Sequence, residues 1–287
     1  MLKIKSGAHS ERFPYWLRQR VRDDSVIEET RDLLSSLRIN TVCQSARCPN
    51  IYDCFSKKKC TFLILGNYCT RSCGFCAIET KSELLLPDKK EPFNIKEAVE
   101  RLGVRSIVIT SVTRDDLDDG GAGHFADCIA ILRDIREDLK IEVLVPDFLG
   151  KSDAVERVVR AGPDVFSHNI ETVPRLYKRV RPEADYKRSL DVIRYAKELG
   201  GPDFITKSGL MAGLGEAQDE IYKTMQDLKG AGCDIVTIGQ YLRPDSECLE
   251  VEEFLAPEKF IRFSKWAEDL GFKRFSCSPF TRSSYLE

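Results

Sequence analysis

Residues 61–76 read Thr61-Phe62-Leu63-Ile64-Leu65-Gly66-Asn67-Tyr68-Cys69-Thr70-Arg71-Ser72-Cys73-Gly74-Phe75-Cys76. The first five form an apolar run with the make-up of a buried strand. A Gly-Asn turn follows, and then three thiols arrive on one short loop. The same rhythm recurs downstream, with short apolar, β-branched runs at 106–110, 141–146, 165–171, 204–211 and 234–240. Between these six runs, apolar spacing of three and four predicts helices over 95–102, 125–136, 154–160, 186–199 and 216–228, and another over 257–270 follows the sixth run. Strict alternation of strand and helix implies parallel strands joined by right-handed crossovers, hence a barrel, a partial barrel or a doubly wound sheet. Polar residues gather where the runs end: Thr110-Ser111, Pro146-Asp147, His168-Asn169-Ile170-Glu171, Thr206-Lys207-Ser208 and Gln240-Tyr241. Singly, such residues serve as helix caps or turn formers. Their recurrence after nearly every run favours a barrel, whose strand ends converge on one mouth.

Composition sets the frame around this pattern. The chain has 287 residues, 42% hydrophobic and 31% charged, which is enough apolar material for one main domain and too little bias for a disordered or fibrous chain. A formal charge of -2 provides no basic field for nucleic acid or an anionic membrane surface. Residues before about 41 read as a helical lead-in, amphipathic over 27–37. No apolar signal core opens the chain and no run is long enough to span a membrane, so the expected location is the cytoplasm. In that reducing compartment, clustered cysteines mean metal or redox chemistry rather than disulfides.

Seven of the 11 cysteines fall between Cys43 and Cys76. Cys69, Cys73 and Cys76 have Cys-x3-Cys-x2-Cys spacing and supply three ligands to one cluster with no local fourth. A [4Fe–4S] cluster normally takes four cysteines, so three leave an iron open to substrate or cofactor. Upstream, Cys43, Cys48 and Cys54 form a second triplet, Cys-x4-Cys-x5-Cys. Structural zinc is the competing reading, but it usually employs paired Cys-x2-Cys knuckles and this region has one such spacing. The three histidines, His9, His124 and His168, form no ligand pair. A thioredoxin-like reading of Cys73-Gly-Phe-Cys76 leaves Cys69 and the upstream triplet unexplained. Cys60, Cys128, Cys233 and Cys248 read as small buried hydrophobes.

With these residues in view, the chain resembles the radical S-adenosylmethionine (SAM) enzymes, and its second triplet resembles that of the lipoyl synthase family. The likeness runs from about Pro14 to Tyr285 through Val112-Thr-Arg-Asp-Asp-Leu117, His168-Asn-Ile-Glu171, Thr206-Lys-Ser-Gly-Leu-Met211, Thr237-Ile-Gly-Gln-Tyr241 and Arg282-Ser-Ser-Tyr285. Gln44-Ser45, Asn67, Cys248 and Ser278-Pro-Phe-Thr281 depart from the family pattern without removing a ligand. The resemblance implies an α/β fold of the radical-SAM-type partial (β/α)6 barrel, with an N-terminal extension over 1–60, the barrel over 61–272 and a C-terminal extension over 273–287. It also implies SAM and two [4Fe–4S] clusters. The one on Cys69, Cys73 and Cys76 would bind and cleave SAM to a 5′-deoxyadenosyl radical. The other, on Cys43, Cys48, Cys54 and Ser283, would be the sacrificial sulfur donor for insertion at C6 and C8 of a protein-bound octanoyl-lysine. Cys277 is the next candidate should Ser283 not serve.

Chemistry and barrel position make Thr110 or Ser111 candidates for the SAM amino group, Asn169 and Glu171 for the ribose, and Lys207 for the carboxylate. Expected partners are octanoylated lipoyl carrier domains or H protein, a ferredoxin- or flavodoxin-type electron donor and an iron–sulfur cluster supplier. Neither nucleic acid nor membrane is expected. Lys57-Lys58-Lys59 reads as a solvated turn or as a docking point for an acidic partner. Two other classes share parts of the pattern. A different radical SAM sulfur-inserting or methylthiolating enzyme would share the first triplet only, and an electron-transfer protein would have no use for a polar barrel mouth.

Overall fold

The computed structural model describes residues 13–19 and 24–284. Helix α1 (Ser25–Ser36) begins at Asp24, whose carboxylate accepts the Val26 amide at 3.0 Å, and it packs on the region of the upstream cysteines. A two-residue strand β1 (Asn40–Thr41) and the short helices α2 (Val42–Ser45) and α3 (Ile51–Ser56) carry Cys43 and Cys54, with Cys48 between the helices. The alternating units follow: β2 (Thr61–Ile64), α4 (Glu91–Leu102), β3 (Ser106–Ser111), α5 (Ala122–Arg133), β4 (Lys140–Leu144), α6 (Ser152–Arg160) and β5 (Val165–Ser167). A one-turn α7 (Tyr177–Val180) precedes α8 (Tyr186–Gly200), β6 (Ile205–Ala212), α9 (Gln218–Gly230), β7 (Ile235–Gln240), α10 (Pro257–Asp269) and β8 (Arg274–Ser278).

Among the described residues eight strands form one sheet in sequential order, parallel throughout except for β1 against β2. The order never reverses, whereas a doubly wound sheet must reverse at its switch point. Successive crossover helices therefore line one face, and α4, α5, α6, α8, α9 and α10 do pack in that order. The expected runs correspond to β2–β7. The sheet adds β1 at one edge and β8, a further parallel strand, at the other.

Alternation along the strands builds two environments. Phe62, Ile64, Ile107, Ile109, Ile141, Val143 and Phe166 face the helices in a core with Ile95, Phe125 and Val155. Leu210, Val236 and Ile238 continue that layer against Ile193, Met225 and Phe263. The alternate residues Leu63, Thr110, Leu144, Gly209, Thr237 and Gly239 turn to the concave face, where they line a cavity. Among the described residues no helix is long and apolar enough to cross a membrane.

Candidate cluster and cofactor site

The loop after β2 is held from several sides. Leu65 takes a left-handed conformation (φ 68°), and its amide is received by the Glu91 carboxylate at 2.8 Å. Cys69 pairs through its own backbone with Glu79 and Lys81, and its sulfur accepts the Thr113 amide at 3.3 Å. Arg71 is buried. It forks onto Asp115 at 2.6 and 2.9 Å and reaches Asp147 at 2.6 Å. Asp147, fully buried, also accepts Arg188 at 2.8 Å. Burial alone would raise the Asp147 carboxyl, but the Arg71 hydrogen bond and charge, with His168 and Arg188 nearby, hold it well below the usual carboxylate range. Ser72 is tied to Glu183 at 2.6 Å. Gly74 is closely packed: a Cβ there would stand 2.9 Å from Leu249 and 3.2 Å from the Arg179 carbonyl, so Leu249 would have to shift. The three thiols thus ride on a loop with little freedom.

The upstream triplet meets the chain's far end. Asn50, buried between Cys48 and Cys54, accepts from Gln19 at 3.2 Å and donates to the Phe280 carbonyl at 2.8 Å. Segment 279–284 then lies inside the barrel mouth, against β6 and β7. It can do so because Gly239 and Gly209 face it with bare backbone: a Cβ on Gly239 would stand 2.0 Å from the Thr281 carbonyl, and one on Gly209 would stand 2.9 Å from Ser283. Arg282 donates to the Thr281 carbonyl at 2.7 Å and feels the charge of Cys48. Ser283 accepts the Asn169 side-chain amide at 2.9 Å. Tyr285, the last residue of the Arg-Ser-Ser-Tyr motif, lies outside the described residues.

A cavity of about 300 Å³ joins these parts, lined by Cys48 from one triplet, Cys76 from the other, and Arg282, Ser283 and Ser284 from the tail. Thr110, Ser111, Asn169 and Glu171 line it as well. Thr110 donates to the Leu144 carbonyl at 2.8 Å, whereas Ser111 Oγ and Asn169 Oδ1 are buried without a partner. Glu171 adopts a left-handed conformation (φ 64°), uncommon for a side-chain-bearing residue and frequent at functional sites. Burial raises its carboxyl, against the pull of Arg181 and the Asn169 hydrogen bond. Lys207 stands apart from these candidates. It is buried with its ammonium 2.9 Å from Glu142, outside the cavity lining.

The sequence reading gave no site role to several residues that the structure brings to this region. Thr237 Oγ1 is a further buried hydroxyl without a partner, and Thr237 also lines the cavity. Arg181, buried, donates to the Asn169 carbonyl at 2.9 Å and feels the charge of Cys73. His168 Nδ1 lies 2.8 Å from the Val145 carbonyl, and burial with the Arg181 charge pushes its imidazole down to about 4, so it is neutral at pH 7. The inward side of a strand is legible from alternation, but which polar neighbour an inward residue meets depends on the adjoining strand.

These residues fit the groups that the sequence implies. Ser111, Asn169 and Thr237 present orphaned buried polar atoms to the cavity, the arrangement expected where a polar ligand completes the hydrogen bonding. Within each triplet the cysteines are near enough to feel one another's charge. Among the described residues no three Cys, His, Asp or Glu converge as ligands of one ion would. A four-iron cluster needs no such convergence, because each thiolate holds a different iron. Burial pushes Cys43 and Cys73 up to about 11 and Cys54 and Cys76 up to about 12, so metal binding must expel the protons of these four thiols.

The family model described as the Radical SAM superfamily matches residues 63–240. A lipoyl synthase of Caldanaerobacter subterraneus subsp. tengcongensis is 50% identical over 274 residues, covering 96% of this chain and 95% of its own. One from Rubrobacter xylanophilus is 50% identical over 279 residues, covering 97% and 86%. Among solved structures, methylornithine synthase aligns over 91% of this chain and 88% of its own, with a TM-score of 0.54 at 16% identity. Streptococcus suis SuiB bound to S-adenosylmethionine aligns over 88% and 61%, with a TM-score of 0.59 at 13% identity. At such identities the two structures share the fold alone.

Proposed function

The chain belongs to the lipoyl synthase family of the radical SAM superfamily, and from that membership we propose that it inserts two sulfur atoms, at C6 and C8, into an octanoyl group carried on a lysine of a lipoyl carrier domain or H protein. Cys69, Cys73 and Cys76 would hold the cluster at which SAM binds; Cys43, Cys48 and Cys54, with Ser283, would hold the second. When bound, the first cluster with SAM supplies the one-electron chemistry that unactivated carbon requires, and the second supplies sulfur.

The chain's own residues do the positioning. Thr110, Ser111, Asn169 and Glu171 form a polar wall toward SAM. Leu63, Phe75, Ile78, Leu144 and Met211 give the same cavity an apolar lining suited to an alkyl chain. Lys207, engaged by Glu142, reaches SAM only if that ion pair opens. The observation that carries the reading is the single cavity lined by Cys48, Cys76 and Ser283 together. Electrons would come from a ferredoxin- or flavodoxin-type donor and replacement clusters from a separate supplier. The extensions over 1–60 and 273–287 would serve the second cluster, and the barrel over 61–272 the first.

Anaerobic reconstitution should give on the order of eight irons and eight sulfides per chain. Mass spectrometry of an octanoylated carrier peptide should show two sulfurs gained. Cys73→Ala should abolish SAM cleavage, and Cys48→Ala should permit cleavage without sulfur transfer. Saturation near four irons with no loss in Cys43→Ala would defeat the two-cluster reading.

A further inference from the structure

Asn169 stands two residues beyond β5, where the polar wall meets the tail. Its backbone is fixed: the carbonyl accepts Arg181 at 2.9 Å, the next amide donates to Ser208 Oγ at 3.1 Å, and the Glu171 amide donates to the Gly209 carbonyl at 3.0 Å. Only the side-chain amide can rearrange. Both of its N–H bonds are engaged, one with Glu171 Oε1 at 3.0 Å and the other with Ser283 Oγ at 2.9 Å. Glu171 Oε1 is the acceptor here, which sets the amide's orientation with nitrogen toward these two groups. Its Oδ1, buried and unpartnered, faces the bare Gly209, 3.0 Å from where a Cβ would sit, with Thr237 Oγ1 2.7 Å from the same point.

We propose that Asn169 is a positioning residue shared between the two halves of the cavity: its amide seats Ser283, and a ligand on the polar wall competes with Ser283 for it. The proposal rests on the reading of that wall as the SAM site. A ligand bearing hydroxyl and carboxylate oxygens can donate to Oδ1 and accept from Nδ2. To accept from Nδ2 it must displace Ser283 Oγ, because the other N–H is held by Glu171. One hydrogen bond exchanged in this way is worth about 2- to 10-fold in an equilibrium constant. By linkage, the ligand loosens the tail by the factor by which the tail weakens the ligand.

The test employs reconstituted holoenzyme and S-adenosylhomocysteine, which is not reductively cleaved at this centre. Ser283→Ala, compared with wild type at equal iron content so that loss of a cluster ligand does not enter, should bind it about 3- to 10-fold more tightly in equilibrium dialysis, since the amide no longer has a competing acceptor. In an Asn169→Ala background the same substitution should leave affinity unchanged. Hydrogen exchange in segment 279–284 of wild type should accelerate by a similar factor on saturation. Equal or weaker binding by Ser283→Ala, or tail exchange indifferent to the saturating ligand, overturns the proposal. Exchange in wild type decides the matter even if Asn169→Ala binds too weakly to measure. Failure of wild-type holoenzyme to bind S-adenosylhomocysteine at all would instead count against the SAM reading itself.

Discussion

Asp147 is the residue on which the cysteine loop leans. It has no exposed surface and joins Arg71, inside the Cys69–Cys73 interval, to Arg188 on α8. Removing one member of a buried, hydrogen-bonded pair leaves a charge unmatched and costs about 3–5 kcal/mol. Asp147→Ala is therefore expected to lose stability of that order in urea unfolding and to retain less iron when Cys43, Cys48 and Cys54 are also replaced, so that only the Cys69, Cys73 and Cys76 site remains. An unchanged unfolding midpoint would show that the pair bears no load. Asp147 was legible only as a polar residue at a strand end, because its partners lie 76 residues upstream and 41 downstream. Lys207 illustrates the same limit: its inward direction follows from alternation, but its pairing with Glu142, 65 residues away, does not.

At the scale of elements, spacing and composition carried far where burial is two-sided and failed at the edges. The strands β2–β7 stand out because most of their helix-facing residues are apolar, among them Phe62, Ile64, Ile107, Ile109, Val236 and Ile238. Strand β8 reads Arg-Phe-Ser-Cys-Ser, none of it fully buried, with Phe275 on the exposed side, and β1 has only two residues. Such pieces are recognisable from their pairing rather than their pattern. The tail's course over β6 and β7 is likewise set by two absent side chains. Gly239→Ala would drive a Cβ into the Thr281 carbonyl, and overpacking of that kind costs about 1–3 kcal/mol. The expected result is a lower unfolding midpoint together with faster hydrogen exchange confined to segment 279–284. Gly103→Ala is the comparison: a Cβ there meets nothing within 4 Å, although its left-handed conformation (φ 67°) imposes strain of its own, so it should lower stability without altering exchange in the tail.

Across the whole molecule, acid sensitivity has two origins with different windows. The imidazole of His168 titrates at about 4 when folded against an ordinary 6.5. The unfolded chain therefore takes the proton first, and stability falls as pH drops from about 6.5 to 4, by on the order of 3 kcal/mol. Asp147, Asp164 and Asp234 are each held below the usual carboxylate value by cationic partners and hydrogen bonds that outweigh their burial. Their stabilisation is present above about pH 4 and is lost as pH falls further. Chemical denaturation between pH 7 and 3 should thus show a gentle decline followed by a steep one, and His168→Asn should flatten the first limb. The sequential sheet also has a consequence in time. Asn50 waits for the carbonyl of Phe280, 230 residues later in the chain. At about 5–20 residues per second of synthesis, that is roughly 10–50 s. On the ribosome, the segment bearing Cys48 and Cys54 is finished long before its closing partner exists, so the upstream pocket is an open nascent structure throughout translation of the barrel. Its seam closes only after the barrel between them has been made.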